Sequence, residues 1–481
     1  MKLLRIVVVG AALVTFASVL PASAGTTPVF QSAKEVTLPS GARGLYQGYL
    51  PTLSCVSAGN CVAGGDYNNP AGNENGLILT ETNGTWRAPT TLKAPAGAAA
   101  ASNLTIESLS CSTIGNCAAV GDYQDQAGNI EGFVANEVRN VWNRTVKLAL
   151  PANALGDGQD AFVRSVICSS ASNCSALGGY FDNHHTAPRT DGFVVAEVNG
   201  TWQRAAEITF AQTTNFNPFV TPNQIDCSSA GNCSGVGSFI DVNGVAQGFL
   251  INQVRGAWSR AVTLTLPANA SAYSGASLSE VACAGASCAV LGTYLTSTGA
   301  TEALSARDIN GTWLRADELT MPAGAATNPH AFLYGFSGIA CAKAGNCAAG
   351  GQYRDSAGNY EGFLANDVNG TWKSAVKLAL PTGGRSAGAN GGVVALSCPS
   401  AGNCRAGAAY LDGSGNYQAL TVEEDNGAWR QGTKVTLPGG AATVGVDGGV
   451  YALDCPSIIT CTAAGSYLKT ATVYEGFTVS S

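Results

Sequence analysis

Residues 341–381 of the chain read CAKAGNCAAGGQYRDSAGNYEGFLANDVNGTWKSAVKLALP. Two cysteines flank a five-residue turn, and β-branched or aromatic segments follow between clusters of glycine, asparagine and proline. This punctuation, without any helical apolar periodicity, predicts four short β-strands, which we call A to D in chain order. The Asn-Gly pair at 369–370 supplies the positive φ angles of a two-residue hairpin turn between strands C and D.

The same pattern recurs eight times along the chain. Its clearest marks are eight cysteine pairs, whose first members lie 56 to 59 residues apart. Self-similarity at a fixed period indicates a repeat architecture. The pairs are Cys55 and Cys61, Cys111 and Cys117, Cys168 and Cys174, Cys227 and Cys233, Cys283 and Cys288, Cys341 and Cys347, Cys398 and Cys404, and Cys455 and Cys461.

The ends of the repeat pattern favour a closed ring over an open β-solenoid, which is the alternative. The last copy stops without the tryptophan that opens strand D elsewhere, whereas FQSAKEVTLP at 30–39 aligns without gaps to WKSAVKLALP at 372–381. The first strand can therefore complete the last blade and leave no sheet edge unpaired. We predict an all-β fold: a single eight-bladed β-propeller domain over 26–481, with four antiparallel strands per blade and the ring closed by the N-terminal strand.

Composition excludes two classes of protein. The chain has 481 residues, a net charge of −7, 12% charged residues and 46% hydrophobic residues. Disordered chains are rich in charge and poor in apolar residues, so disorder is excluded. An acidic chain with 25 scattered basic residues offers no basic stripe to neutralise phosphates, so we expect no nucleic-acid partner.

Residues 1–24 have the form of a signal peptide. Lys2 and Arg5 precede an apolar stretch over 6–20, and Ala-Ser-Ala follows at 22–24 as a cleavage site. No other apolar run approaches the ~18 residues of a membrane span. We therefore expect a secreted, extracellular protein without a membrane span, in a setting that permits disulfides.

The paired cysteines have two interpretations. Strands A and B bring the members of a pair face to face, so a disulfide can close each hairpin. Zinc sites favour Cys-x2-Cys spacing with converging pairs, and redox pairs are usually adjacent or Cys-x-x-Cys. We predict eight structural disulfides, with no metal and no cofactor.

The repeated pattern SCxSAGNCxAxGxY…EGFxAxxVNGTW resembles the secreted, cysteine-paired β-propeller repeats of actinobacteria. The resemblance covers essentially the whole chain after residue 24 and implies a propeller, but this group has no assigned activity. The Asn-Gly-Thr-Trp hairpin also looks like a shortened Asp-box of sialidase-type propellers, and the Trp-bearing blades resemble quinone-dependent alcohol dehydrogenases. Neither carries over, because the Ser and Asp of the Asp-box and the adjacent-cysteine pair of the quinone enzymes are absent.

The two faces of the predicted propeller differ. The A–B and C–D turns are nearly constant in length and form one face, which we call the turn face. The B–C and D–A loops diverge in sequence and form the opposite face, which we call the loop face. Binding usually occurs in diverging loops on a rigid scaffold, so we expect the site on the loop face, around the channel mouth.

All three histidines lie in the two loops that depart from the repeat's length. The B–C loop of the third copy, with Asp182, suggests a metal or acid/base cluster, and the aromatic D–A loop before the sixth cysteine pair suggests a platform for sugar stacking. The alternative is two insertions without function, and the separation of blades 3 and 6 around the ring weakens the case for a joint site. The candidate ligand-binding residues are His184 and His185 in the first loop, and His330, Phe332, Tyr334 and Phe336 in the second.

Recurring carboxylates are a second candidate group. A catalytic pair is normally one pair in a distinct pocket, so side chains that recur in every blade favour a structural role such as accepting backbone N–H bonds. Asp125 and Asp355 open DxxGN segments that suggest calcium only faintly, because dense alternating oxygen ligands are missing. The recurring residues are Asn75, Glu131, Asp191, Gln247, Glu302, Glu361, Gln418 and Glu475 at the start of strand C, and Glu81, Glu137, Glu197, Gln253, Asp308, Asp367 and Glu424 six residues later.

Three functions are consistent with these features. We favour a monomeric, non-enzymatic propeller that binds a glycan, a protein or another cell-envelope ligand through the loop face, with no catalytic residue. A carbohydrate-active hydrolase or lyase would instead use carboxylates of the loop face, and predicts acids of raised pKa lining a pocket. A purely structural envelope protein is the third hypothesis.

Overall fold

A computed structural model describes residues 30, 32–45, 50–143, 145–154, 160–181, 190–210, 219–272, 275–309, 311–331, 338–385, 392–442, 447–470 and 472–481. Within these residues there is no helix, and the strands form eight antiparallel sheets, each of them one blade of a ring. The predicted eight-bladed β-propeller is confirmed. The predicted signal peptide over 1–24 lies outside the described residues.

Each blade has three long strands and a short outer strand D, which is split in two in most blades. The A strands of blades 1 to 8 are Thr52–Ser57, Thr105–Thr113, Ala161–Ser170, Phe219–Ser229, Ala276–Ala284, Ile339–Lys343, Val393–Ser400 and Gly449–Ser457. The B strands are Asn60–Asn68, Asn116–Gln124, Asn173–Phe181, Asn232–Ile240, Ser287–Leu295, Asn346–Arg354, Asn403–Leu411 and Thr460–Thr470. The C strands are Glu74–Thr82, Ile130–Val138, Thr190–Val198, Ala246–Val254, Thr301–Ile309, Tyr360–Asn366, Tyr417–Asp425 and Val473–Ser480. The D strands are Thr85–Trp86 with Thr90–Thr91, Val141–Trp142 with Val146–Lys147, Thr201–Trp202 with Ala206–Glu207, Ala257–Trp258 with Val262–Thr263, Thr312–Trp313 with Asp317–Glu318, Val376–Lys377, Ala428–Trp429 with Thr433–Lys434, and, in blade 8, Lys34–Glu35.

The N-terminal strand closes the ring as the sequence predicts. Lys34 pairs with Thr478, and Glu35 pairs with Phe477, in the sheet of the last blade. The side chain of Lys469, on strand B of the same blade, lies 2.6 Å from the Glu35 carboxylate. Strand D of blade 8 therefore comes from the opposite end of the chain to strands A, B and C, and no two-residue turn joins it to strand C.

The core lies between the blades. Each hydrophobic cluster combines two neighbours: one joins Val120 and Val134 of blade 2 to Val163 and Phe193 of blade 3. The largest side chains of these clusters are a tyrosine near the end of strand B and a phenylalanine near the start of strand C. Full burial of one such side chain stabilises the fold by about 1.5–3 kcal/mol. These fully buried rings are Tyr123, Tyr180, Tyr294, Tyr353, Tyr410, Tyr467, Phe133, Phe193, Phe249, Phe363 and Phe477.

All sixteen cysteines lie in the described residues and form the eight predicted disulfides, with none left free. Each disulfide joins strands A and B of one blade across the turn face, five or six residues apart in sequence. A loop this short contributes only ~2 kcal/mol by the chain-entropy estimate. None of the described residues forms a helix long and apolar enough to cross a membrane.

Candidate functional site

Six of the A strands, which line the central channel, carry a β-bulge four residues before the first cysteine. In blade 2, Ile106 pairs with Gly121 and Ser108 with Val120, so Glu107 has no partner on strand B. A bulge bends the strand and re-aims the side chain of the extra residue. The bulge residues are Glu107, Arg164, Asn223, Ser279, Val394 and Tyr451 in blades 2, 3, 4, 5, 7 and 8.

The bulge has a counterpart on strand B, two residues before the buried tyrosine. Seven blades have glycine there, and a Cβ on Gly121 would lie 1.9 Å from the carbonyl oxygen of Thr105 on strand A. Strand A therefore approaches too closely for a side chain in blade 2. Blade 7 has Ala408 at this position and keeps its bulge.

The bulge residues of blades 2 to 5 line a polar cavity of about 570 Å³ at one end of the channel. Because strand A enters from the D–A loop, this end is on the loop face, and we call the space the mouth cavity. A second space, of about 460 Å³, continues down the channel towards the disulfides. The mouth cavity is lined by Pro51, Thr52, Glu107, Ser108, Arg164, Ser165, Asn223, Gln224, Ser277, Ser279 and Glu280.

Arg164 and Glu107 form an ion pair at the rim of the mouth cavity. The guanidinium Nη1 lies 3.0 Å from Oε2 of Glu107, and the two side chains keep 45% and 30% of their surface exposed. The guanidinium also lies 5.0 Å from the centre of the Phe162 ring. A half-exposed pair gains little stability, so both groups can exchange part of their contact for a ligand.

Glu280 is the most buried acid of the mouth cavity, with 2% of its surface exposed. Burial is the main cause that raises its pKa to about 8, against hydrogen bonds from the Gly338 backbone and from Gln224. Its Oε2 has no hydrogen-bond partner among the described residues. At neutral pH this carboxyl group therefore holds a proton, which it can donate to a ligand.

Two further acids surround the bulge of blade 2. Asp66 accepts a hydrogen bond of 2.8 Å from the Ile106 N–H, and Asp122 accepts one of 3.1 Å from the Thr105 hydroxyl. Burial raises the pKa of Asp66 well above its usual range and that of Asp122 to about 7, and the nearby charge of Glu107 raises both further. Both carboxyl groups therefore lose their protons at a higher pH than an exposed aspartate does.

Deeper in the channel, the residue before the first cysteine links neighbouring blades. Asp226 accepts from the N–H of Cys283 in the next blade at 2.7 Å, and Asp454 accepts from the N–H of Cys55 at 2.8 Å. Ser54, Ser110 and Ser397 accept in the same way. These carboxylates are occupied by the backbone and act as structural groups.

The recurring acids of strand C also make contacts within the scaffold. Glu424 accepts from the Cys404 N–H at 3.2 Å and from the Asn366 side chain at 2.6 Å. Glu131, from the other set, lies 2.6 Å from Lys147 of its own blade. Such contacts agree with the structural role that their repetition suggests.

The DxxGN segments are closed turns. Oδ1 of Asp125 accepts from the N–H groups of Ala127 and Asn129 at 2.8 and 2.9 Å, and Asp355 repeats this pattern in blade 6. The aspartate oxygens thus stabilise their own loop, as short polar side chains do in turns. In the described part of the chain, no three His, Cys, Asp or Glu side chains come together as ligands of a metal ion.

The predicted contact residues fall largely outside the description. His330 is half-buried, has φ of 41°, and does not line the mouth cavity. The assignment of ligand contacts to these loops therefore stays a prediction. The residues outside the description are Asp182, His184, His185, Phe332, Tyr334 and Phe336.

Sequence analysis missed the bulge residues Glu107 and Arg164, and it missed Glu280. A signal was present, because these are the positions four and three residues before the first cysteine, where other copies have small, apolar or neutral polar residues. The bulge is difficult to recognise from the sequence of strand A. One extra residue shifts the alternation of side chains by one position, and the sequence alone does not distinguish this from a different strand register.

No family model and no curated protein matches this chain. Among solved structures, it is similar to an ulvan lyase bound to -[GlcA(1-4)Rha3S]-, with 10% identity over 92% of this chain and 95% of that one and a TM-score of 0.45. It is also similar to the Hadza microbial sialidase Hz136, with 12% identity over 76% and 73% and a TM-score of 0.39. The six-bladed lectin of Aleuria aurantia gives 12% identity over 72% and 99% and a TM-score of 0.31. Similarities of this extent carry no argument about function.

Proposed function

We propose that this protein is a secreted, monomeric, disulfide-stabilised propeller of the actinobacterial repeat type, with a signal peptide over 1–24 and one domain over 26–481. We propose further that it binds a glycan of the cell envelope at the mouth cavity. One observation supports this site: an eightfold scaffold directs four different bulge side chains into a single polar cavity. Side chains with a structural role recur from blade to blade in this fold, whereas the four bulge residues are all of different types.

The chemistry of the mouth cavity suits a polyhydroxylated ligand. Serine hydroxyls and the side-chain oxygen of Asn223 can accept hydrogen bonds from sugar hydroxyls, and the serines can also donate. The Asn223 amide N–H already donates to the Leu278 carbonyl, and Gln224 accepts from the Val281 N–H, so Gln224 mainly fixes the shape of the cavity. Arg164 adds a charge-assisted donor, and protonated Glu280 adds a neutral one. A few placed polar groups around a concave site are what fixes the orientation of a ligand.

A binding screen of the mature chain with soluble glycans and cell-wall fragments tests the proposal. Arg164→Ala should weaken binding of the selected glycan by about 10- to 100-fold, because a hydrogen bond to a charged group is worth about 1.5–3 kcal/mol. The matched control is Val394→Ala, a bulge residue of blade 7 that does not line the mouth cavity. Equal affinity of Arg164→Ala and the parent protein would exclude the mouth cavity. A variant that simplifies 330–336 tests the aromatic loop separately.

A second candidate function is supported by Glu280 alone. A carboxyl group that lines a cavity, has an unpartnered oxygen and has a pKa of about 8 meets the requirement for a general acid in a glycan hydrolase or lyase. Under this hypothesis Glu280→Gln abolishes release of reducing ends from the bound polysaccharide and leaves binding intact. If the parent protein binds a glycan without cleaving it, the binding function stands alone. If it binds no glycan, the result favours the hypothesis of a purely structural envelope protein.

A further inference from the structure

Two interfaces between blades, on the turn face, hold a half-buried amide in the same way. Asn136 of blade 2 accepts from the Trp202 indole N–H at 2.9 Å and donates to Glu197 of blade 3. Asn366 of blade 6 likewise accepts from Trp429 at 2.8 Å and donates to the glutamate of blade 7. We call this arrangement, in which a Trp and a Glu of one blade hold a carboxamide between them, the amide clamp.

The Trp and the Glu of the clamp are direct neighbours across strands C and D. Glu197 pairs with Trp202 in blade 3, and Glu81 pairs with Trp86 in blade 1 in the same register. Blade 1 therefore carries the two clamping side chains. The position that supplies the amide belongs to the preceding blade, which for blade 1 is blade 8.

Blade 8 has no amide to offer at that position. Asn136 and Asn366 pair with the residue after the second cysteine, and the residue of blade 8 in this register is Ser480, opposite Thr462. The Ser480 hydroxyl is too short to reach both clamp groups and lies 3.2 Å from the Thr462 hydroxyl. Within the described residues, Oε2 of Glu81 has no hydrogen-bond partner although only 5% of this residue is exposed.

The interface between blades 8 and 1 also has room for a ligand. A cavity of about 270 Å³, which we call the seam pocket, lies between these blades and is bordered by Lys34, Glu81, Trp86, Thr462, Thr478 and Ser480. The corresponding space between blades 1 and 2 measures about 10 Å³. That second interface also lacks the asparagine, since Thr80 stands there, and among the described residues the Trp142 indole N–H and Oε2 of Glu137 have no hydrogen-bond partner. The two interfaces thus share the incomplete clamp and differ in the space available.

We propose that the seam pocket binds the acetamido group of an N-acetylated amino sugar, which takes the place of the missing asparagine amide. Its carbonyl oxygen accepts from the Trp86 indole N–H, and its N–H donates to Glu81. The hydroxyl groups of Thr462, Thr478 and Ser480 line the rest of the pocket and suit sugar hydroxyls better than a peptide side chain. This site is on the turn face, at the opposite end of the blades from the mouth cavity, so it does not depend on the function proposed for that cavity.

Titration of the mature protein with N-acetylglucosamine, followed by the indole N–H signals in an NMR spectrum, tests this proposal. One signal should move, and Trp86→Phe should remove it and weaken binding about tenfold, the effect of one hydrogen bond. Glucose, which lacks the acetamido group, should not move the signal. An equal response to glucose would overturn the proposal, and a response to N-acetylasparagine amide with none to the amino sugar would replace it by a peptide site.

A restored clamp gives the sharpest comparison. Ser480→Asn should place the amide of the protein itself between Trp86 and Glu81, which abolishes the response to N-acetylglucosamine and stabilises the fold. Thr80→Asn should complete the clamp between blades 1 and 2 in the same way, yet leave sugar binding unchanged, because that interface has no pocket. Sugar binding by Ser480→Asn at the parent affinity would refute the proposal. Arg164→Ala should bind the amino sugar normally, which separates failure of this site from failure of the mouth cavity.

Discussion

Replacing Glu280 by glutamine should change how the stability of the propeller depends on pH. Glutamine has the shape of the protonated acid, and its carbonyl oxygen can accept the hydrogen bonds from the Gly338 backbone and from Gln224, but it cannot ionise. In the folded protein the pKa of Glu280 is about 8, against 4.5 for an ordinary glutamate. Below pH 4.5 both the folded and the unfolded chains carry the proton, so the substitution should have little effect there.

The difference should grow as the pH rises. Between pH 4.5 and pH 8 the unfolded chain loses the proton while the folded chain keeps it, so the folded state of the parent protein loses stability with rising pH. The interval from 4.5 to about 8, converted at 1.36 kcal/mol per pH unit, corresponds to an upper limit of about 5 kcal/mol. Glu280→Gln should therefore become more stable than the parent by up to that amount at pH 8.5 and above.

Urea denaturation with the disulfides intact, followed by tryptophan fluorescence from pH 4.5 to pH 8.5, measures this difference. The other acids are common to both proteins and cancel when the two curves are subtracted. Asp317→Asn is the control, because Asp317 is exposed on an outer strand. A stability difference between Glu280→Gln and the parent that is the same at every pH would refute the assignment of a buried, protonated Glu280.

Two further substitutions test the contacts between blades. Asn366→Ser removes the amide between Trp429 and Glu424, and should lower the free energy of unfolding by about 1–3 kcal/mol, the cost of leaving buried polar groups unpaired; an unchanged denaturation midpoint would contradict the clamp. Asp454→Ala removes the acceptor for the Cys55 N–H at the ring closure, and should also lower the free energy of unfolding by about 1–3 kcal/mol. Asp454→Ser should keep the stability near that of the parent, because serine accepts the corresponding hydrogen bond in other blades. Equal losses of stability in both variants would show that this hydrogen bond does not stabilise the ring closure.

Most of the scaffold follows from local chemistry that repeats. The eight disulfides, the two-residue turns and the match between residues 30–39 and strand D are visible in the sequence, and the structure has all three. Because the eight copies share one spacing, their sequences taken together identify each strand more clearly than a single copy does. The ring closure was predictable for the same reason, because Lys34–Glu35 occupies the phase that the last blade lacks.

The candidate site was harder to predict, because it depends on β-bulges. In a regularly alternating strand, consecutive residues such as Glu107 and Ser108 would point to opposite faces of the sheet. The bulge adds one residue and turns these side chains to the channel mouth instead. Of the acids on the strands, sequence analysis identified only the recurring ones; the partners of Glu424 among them are structural, whereas Glu81 has an oxygen without a partner among the described residues.

The amide position of the clamp shows that repetition alone does not distinguish structural from functional side chains, and that the space beside a side chain is a second criterion. Recurrence separates structural from functional side chains only in part, since three blades have asparagine at this position, Asn136, Asn252 and Asn366, and Thr80 and Ser480 are two of the five departures. At Thr80 the neighbouring blades leave only about 10 Å³ of space, so no ligand fits there. The Trp142 indole N–H has no partner among the described residues, which lowers the stability of the fold without creating a site. At Ser480 the strand D that follows in space comes from the other end of the chain, and a cavity lies beside Oε2 of Glu81, which has no hydrogen-bond partner among the described residues. A departure from the repeat is therefore a stronger candidate for a binding site where it coincides with polar atoms that lack a partner and with space, and both the mouth cavity and the seam pocket meet these conditions.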